Sequence, residues 1–168
     1  FPTRRSSDLF VDGARTAETL TIPTFDIKDE GTVDLQLRPT VVHSYNNLFN
    51  MSISTGRFLL YFNKYGRISW DYGTMNDAIM SPNGVAKANE WLRITMRWSA
   101  SKGSRELFIN GECIGTEPFT PPASLPATAS VVNNYGAIID ELAIFDYAVP
   151  DEEIAGWYKA RAPFYSSE

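Results

Sequence analysis

Leu92-Arg93-Ile94-Thr95-Met96-Arg97-Trp98 puts an apolar side chain at every second position. Successive side chains of an extended chain point to opposite faces, so this stretch reads as a strand with one greasy face and one polar face. Val33, Leu35 and Leu37 alternate with Asp34, Gln36 and Arg38 in the same way, and Pro39 ends that run. The period is two, not 3.6, from Phe10 to about Phe145. On this reading Arg93, Thr95 and Arg97 line the wet side of a sheet, a face able to grip an acidic glycan if it is concave.

The flanking segments extend the pattern. Between Arg57 and Trp70, two aromatic-rich runs flank Lys64-Tyr65-Gly66, which reads as a hairpin. Leu107 and Ile109 lead into Asn110-Gly111, a strong hairpin signal because both turn positions tolerate φ > 0. Pro118-Phe119-Thr120-Pro121-Pro122 through Pro126 reads as an extended crossing between sheets, since the strand pattern resumes at Val131. Ile138 to Phe145 is another strand. Pro150-Asp151-Glu152-Glu153 then opens a short helix, where three carboxylates complement the positive end of the helix dipole. Ile154, Trp157 and Tyr158 give that helix one apolar side. These elements predict an all-β fold, an antiparallel two-sheet β-sandwich with a short C-terminal helix.

Composition narrows the functions. The chain has 168 residues, 43% hydrophobic and 21% charged, with one cysteine and one histidine. That is the size of a single domain, and the composition excludes disorder, collagen and coiled coil. Cys113 alone forbids an internal disulfide or a multi-cysteine metal site, and His43 alone forbids poly-histidine ligation. A net charge of −5 argues against nucleic acid as a partner. No apolar run approaches the roughly 20 residues of a membrane span.

Phe1-Pro2-Thr3-Arg4-Arg5-Ser6-Ser7-Asp8-Leu9 resembles the translation of a common sequencing adapter. Residues 1–9 are therefore expected to be foreign to the fold, with the native N-terminus missing, so the lack of a visible signal peptide says nothing about location. The domain is expected over 10–162, with 163–168 as a tail.

Four stretches resemble one family. Gly31-Thr32-Val33-Asp34-Leu35 with Pro39 resembles the early strand of laminin-G-like, concanavalin A-like jelly rolls. Glu90-Trp91-Leu92-Arg93-Ile94-Thr95 is similar to that family's Trp-bearing strand, and Glu106-Leu107-Phe108-Ile109-Asn110-Gly111 to its Asn-Gly hairpin. Ile139-Asp140-Glu141-Leu142-Ala143-Ile144-Phe145, followed by Ala148-Val149-Pro150-Asp151-Glu152-Glu153-Ile154, resembles the closing signature. Pro150 stands where the family has a helix-capping Ser or Thr. The resemblance implies two stacked antiparallel sheets used extracellularly for binding or adhesion. It does not imply one activity, because this superfold hosts lectins, glycanases and structural modules.

The resemblance also implies a site for structural Ca²⁺, an ion that takes six to eight oxygen ligands. Asp140 of the closing signature is the nominated ligand, with Asp12 near the start of the chain. The other reading of Asp140 is a hydrogen bond to a neighbouring loop.

Sugars are held by aromatic faces and planar polar groups. Trp70-Asp71-Tyr72 with Asn76-Asp77, and Tyr45-Asn46-Asn47, carry both types in loop-like stretches. Trp70 also reads as a strand-end core residue, and the Asn residues as turn formers.

Catalysis has weaker support. A glycanase requires two carboxylates roughly 5–9.5 Å apart. Asp140 and Glu141 are adjacent and so expected on opposite strand faces, while Asp140 and Asp146 lie about 20 Å apart if extended. Asp26, Asp29 and Glu30 read as a solvated turn. His43 lacks a nucleophile-elbow motif to serve, and Cys113 reads as a small strand residue. The leading expectation is a non-catalytic extracellular module that recognises a carbohydrate. The alternative is a structural or protein-adhesion module with an extracellular protein partner; third is a glycoside hydrolase or polysaccharide lyase.

Overall fold

The computed structural model describes residues 9–10, 18–23, 29–42, 45–125, 128–133 and 137–165. A six-stranded sheet runs in the order β1 (Leu9–Phe10), β11 (Ala137–Phe145), β3 (Glu30–Pro39), β7 (Leu92–Ser99), β8 (Ser104–Ile109) and β9 (Glu112–Pro118). A five-stranded sheet runs β2 (Glu18–Pro23), β10 (Thr128–Asn133), β4 (Asn46–Ile53), β5 (Gly56–Phe62) and β6 (Ile68–Met80). Neighbouring strands in both sheets pair antiparallel. The helix α1 (Asp151–Tyr165) follows β11. The all-β sandwich read from the alternation is the fold observed.

The register explains why the alternation is decisive. β3 and β7 pair Val33 with Met96, Leu35 with Ile94 and Leu37 with Leu92, so their apolar faces coincide. From the opposite sheet Phe58 enters this face, its ring centroid 5.2 Å from Trp70 and 5.6 Å from Trp98. All three rings are fully buried. Gly31 makes this packing possible: a Cβ there would lie 2.2 Å from Trp98 Cζ2.

The turns also follow the sequence. Asn110 and Gly111 adopt φ of 52° and 81°, the pair of positive values a two-residue hairpin turn demands. Asn63 Oδ1 accepts from the N–H groups of Tyr65 and Arg67 and so closes the turn between β5 and β6. The proline-rich stretch after β9 carries the chain from the six-stranded to the five-stranded sheet.

β6 departs from a simple strand. Thirteen residues, fully extended, span about 43 Å. Yet the Ser81 N–H donates to the Ile68 carbonyl, and the Ile68 N–H to Ser81 Oγ, both at 2.9 Å. The segment therefore folds back on itself, with Gly73 (φ 81°) near the bend.

The polar face of β7 is not wet. Arg93 and Arg97 are only 2% and 4% exposed, and Thr95 is buried with them. Arg93 donates to Asp34 through Nε (3.0 Å) and Nη2 (2.5 Å), and the Thr95 hydroxyl to the same carboxylate at 2.6 Å. Arg97 reaches Glu106, the Val149 carbonyl and Asp151. Alternation distinguishes two faces but not what lies on the second. Here α1 and the segment before it lie on it, with Phe108, Phe145, Val149 and Ile154 forming a small second core. Trp157 stacks on Phe145 and covers the Arg93 guanidinium at 5.0 Å. This burial removes the expected open face for an acidic glycan.

At the helix start, the Pro150 carbonyl accepts from the N–H groups of Glu153 and Ile154. Asp151 is tied to Arg97 at 2.6 Å, anchoring the first turn to the sheet. The helix runs to Tyr165, and Leu9 pairs with Ile139.

Candidate functional site

The nominated residues divide among the core, two cavities and open surface. Trp70 is core. Asn46 is buried opposite Phe62. Asn76 is exposed and lines neither cavity.

The first cavity is a groove of about 250 Å³ lined by Tyr45, Asn47, Arg57, Leu59, Tyr61 and Met75. Phe58, Leu60 and Phe62 of β5 point into the sandwich, so Arg57, Leu59 and Tyr61 point outward by alternation. The groove therefore lies on the outer face of the five-stranded sheet. Tyr45 is 63% exposed and holds a left-handed backbone (φ 58°), with its ring 6.0 Å from that of Tyr61. Left-handed geometry in a residue other than glycine is uncommon and marks a constrained position.

Asp71 pairs in register with Leu59 and shares its outward face. Its carboxylate is fully buried, accepts from the Ser69 hydroxyl at 3.0 Å, and forms an ion pair with Arg57. The Arg57 side chain is itself 38% exposed. The carboxylate thus sits beneath the sheet surface and holds Arg57, which lines the groove.

The second cavity, about 420 Å³, includes Tyr72, Thr74, Asp77, Arg105, Glu117 and Thr120 in its lining. The Tyr72 hydroxyl donates to the Thr120 carbonyl at 2.6 Å. Burial pushes this phenol up to about 12, only partly opposed by the nearby Arg105 charge. It stays protonated, and a donor, at neutral pH. Thr74 donates to Asp77 at 2.8 Å and helps close the bend of β6.

Alternation fails at Asp140 and Glu141. A bulge shifts the β11–β3 register between Ile139 and Glu141. Gln36 donates to Asp140 at 3.3 Å, while Glu141 lies 3.8 Å from Arg93, so both carboxylates engage the outer face of the six-stranded sheet. The expectation of opposite faces is overturned by that extra residue. The cluster it makes is occupied by Arg93 and Gln36.

Glu141 is matched to a guanidinium, and among the described residues no three His, Cys, Asp or Glu side chains gather as metal ligands do. Asp12, His43 and Asp26 lie outside the described residues. Glu30 accepts from Ser99 and Ser101, whose hydroxyls hold its carboxyl below the usual range. Cys113 is exposed on β9.

Sequence reasoning missed Arg57, Leu59, Tyr61 and Arg105. On β5 both alternating sets contain large apolar residues, so periodicity does not say which set is inside. For Arg105 a signal existed, since it shares a strand face with inward-pointing Leu107 and Ile109.

The family model described as concanavalin A-like lectin/glucanases superfamily matches residues 11–155. No curated protein matches the chain. Among solved structures, the serotype D botulinum neurotoxin ligand-binding domain in complex with N-acetylneuraminic acid is similar at TM-score 0.69 and 14% identity, over 95% of this chain and 45% of its own. The botulinum neurotoxin DC binding domain in complex with rat synaptotagmin II gives 0.69 and 11%, over 92% and 45%. The botulinum neurotoxin serotype G binding domain gives 0.66 and 14%, over 93% and 45%. This chain spans about half the length of these chains, and identities this low carry the fold alone.

Proposed function

The chain belongs to the concanavalin A-like lectin/glucanases superfamily, and from that premise we propose that it is a non-catalytic, extracellular binding module whose ligand is a carbohydrate. The ligand lies in the groove on the outer face of the five-stranded sheet. One observation carries this reading: the exposed Tyr45 ring stands beside an open groove that also presents the Asn47 amide and the Arg57 guanidinium. A sugar ring has an apolar C–H face, which an aromatic ring covers, and a rim of hydroxyls, which amide and guanidinium groups hydrogen-bond. Asp71 holds the guanidinium in place, so less side-chain freedom is lost on binding.

Non-catalysis is supported by where the carboxylates sit. At the groove Asp71 lies buried against Arg57. Asp77 and Glu117 both line the second cavity, but both are exposed, without the dry surroundings that set a general acid apart from its partner. Calcium takes no part in the proposed sugar contacts. A structural Ca²⁺ at Asp140 would draw its other ligands from outside the described residues, Asp12 being the nominee; calorimetric titration with Ca²⁺ tests it.

A protein ligand is the second reading, favoured by the similarity to a toxin domain in complex with synaptotagmin. No described helix is long and apolar enough to cross a membrane. A glycan array probed with the wild-type chain and with Tyr45→Ala separates the readings. Sugar binding predicts wild-type signals that Y45A loses. An array without signal, or signals equal in both proteins, would overturn the groove as a sugar site.

A further inference from the structure

Among the described residues, Arg57, Arg93 and Arg97 each have a carboxylate partner, whereas Arg105 has none within ion-pair distance. Arg105 is nevertheless only 1% exposed. Its hydrogen bonds go to neutral groups. Nη1 donates to the Trp70 carbonyl at 3.4 Å and Nη2 to the Asp77 carbonyl, with the Trp70 and Tyr72 rings 5.2 and 5.6 Å from the guanidinium carbon. Its buried Nε has no hydrogen-bond partner. A buried cation with no ion-pair partner is costly, and a guanidinium suits a carboxylate better than any other side-chain cation does.

This side chain lines the larger cavity, whose volume of about 420 Å³ falls within the roughly 300–1,000 Å³ of small-molecule sites. We propose that the cavity is a second binding site, separate from the Tyr45 groove, and that it takes a hexuronic acid with its carboxylate on Arg105. The remaining lining selects the rest of the ligand. Asp77 and Glu117 accept hydrogen bonds from sugar hydroxyls, and Thr74 and Thr120 supply further hydroxyls. Those two carboxylates also repel a bare anion, so the negative charge must arrive on a polyol that repays them with donors. A neutral sugar leaves Arg105 without an ion-pair partner. Burial draws the Arg105 guanidinium down from its ordinary value, with the Glu117, Asp77 and Asp71 charges acting in the other direction. A bound carboxylate would reverse that fall.

The test uses the full chain labelled with ¹⁵N, because a buried Nε–H gives its own resonance. D-Galacturonate, D-glucuronate and their methyl esters are titrated into wild type, E117Q and Y45A. At least one acid is expected to shift the Arg105 Nε–H resonance to saturation, with its ester about tenfold weaker or more, since the ester removes a charge-assisted hydrogen bond. Glu117 is exposed, so E117Q leaves the fold intact; the Gln amide oxygen still accepts from a sugar hydroxyl while the repelling charge is gone, so acid binding is expected to tighten by about two- to fivefold. Y45A is expected to change nothing here. The proposal fails if neither acid moves the resonance, if esters bind as well as acids, or if E117Q weakens binding. It also fails if Y45A abolishes the shift, since the two cavities would then be one site. A silent glycan array at the Tyr45 groove, with a saturable uronate shift at Arg105, would overturn the groove reading and leave this one standing. The wild-type titration reads Arg105 directly and needs no variant of that residue.

Discussion

Replacing Asp34 by Ala strikes the buried polar layer between the six-stranded sheet and α1. The Asp34 side chain is fully buried and accepts three hydrogen bonds, two from Arg93 and one from the Thr95 hydroxyl. Removing it leaves a guanidinium that is 2% exposed with Glu141 at 3.8 Å as its remaining acidic neighbour. Breaking a buried pair from one side costs about 3–5 kcal/mol. The stranded Thr95 hydroxyl adds to the loss, and Glu141 offsets part of it, so the same range serves for D34A. Against a total stability of about 5–15 kcal/mol, that is a large fraction. In a chain of this size it lowers Tm by about 6–20 °C. Urea denaturation followed by tryptophan fluorescence should show the midpoint falling with an unchanged slope. The double variant D34L/R93M should recover most of the loss, because an apolar pair of similar volume needs no counter-charge. A D34A cost below about 1 kcal/mol, or a double variant as unstable as the single one, would refute a dry, ion-paired layer beneath the helix.

Three further outcomes are expected. Gly31→Val would drive side-chain carbon into the Trp98 ring and cost at least about 1–3 kcal/mol, with altered near-UV circular dichroism; an unchanged spectrum and stability would contradict the close approach. Arg57→Met should destabilise more than Asp71→Asn in urea, because it strands a fully buried carboxylate whereas the other leaves a guanidinium that reaches water; the reverse order would contradict the assigned geometry. Tyr72 should ionise near 12 in an alkaline absorbance titration. Its folded value lies above the unfolded value of 10.0, so its stabilising contribution is whole below pH 10 and is lost as pH climbs toward 12. Tyr72→Phe should remove that part of the alkaline slope, and ionisation near 10 would contradict the burial.

The sandwich was legible because Leu92 to Trp98 and Val33 to Leu37 each show a single apolar face, and because Asn110-Gly111 permits only a tight reversal. Where both faces of a strand carry apolar residues, as at Phe58 and Leu60 against Leu59 and Tyr61, alternation is degenerate and the groove stays hidden. The dry Arg93–Arg97 face was illegible for another reason: its cover is a helix more than fifty residues away, and the matching carboxylate of Asp34 comes from a different strand. Asp140 and Glu141 defeated a parity rule through one extra residue in a bulge, which no local composition announces. Trp70-Asp71-Tyr72 contains all three outcomes in three consecutive positions. Trp70 fills the core, Asp71 holds Arg57 on the outer face, and Tyr72 lines the cavity beside Arg105. Tyr45 and Asn47 were legible as an aromatic ring and an amide outside the core, but the groove they share depends on β5, which only the register of β4 against β5 brings beside them.

Occupancy of the Tyr45 groove is tested most directly by intermolecular nuclear Overhauser contacts between the chain and the glycan that gives the strongest array signal. Contacts from the sugar C–H face to the Tyr45 ring, with further contacts to the Asn47 amide and the Arg57 side chain, are the predicted result. A glycan bound with no contact to any of the three, wherever else it sits, would contradict a sugar site on this face.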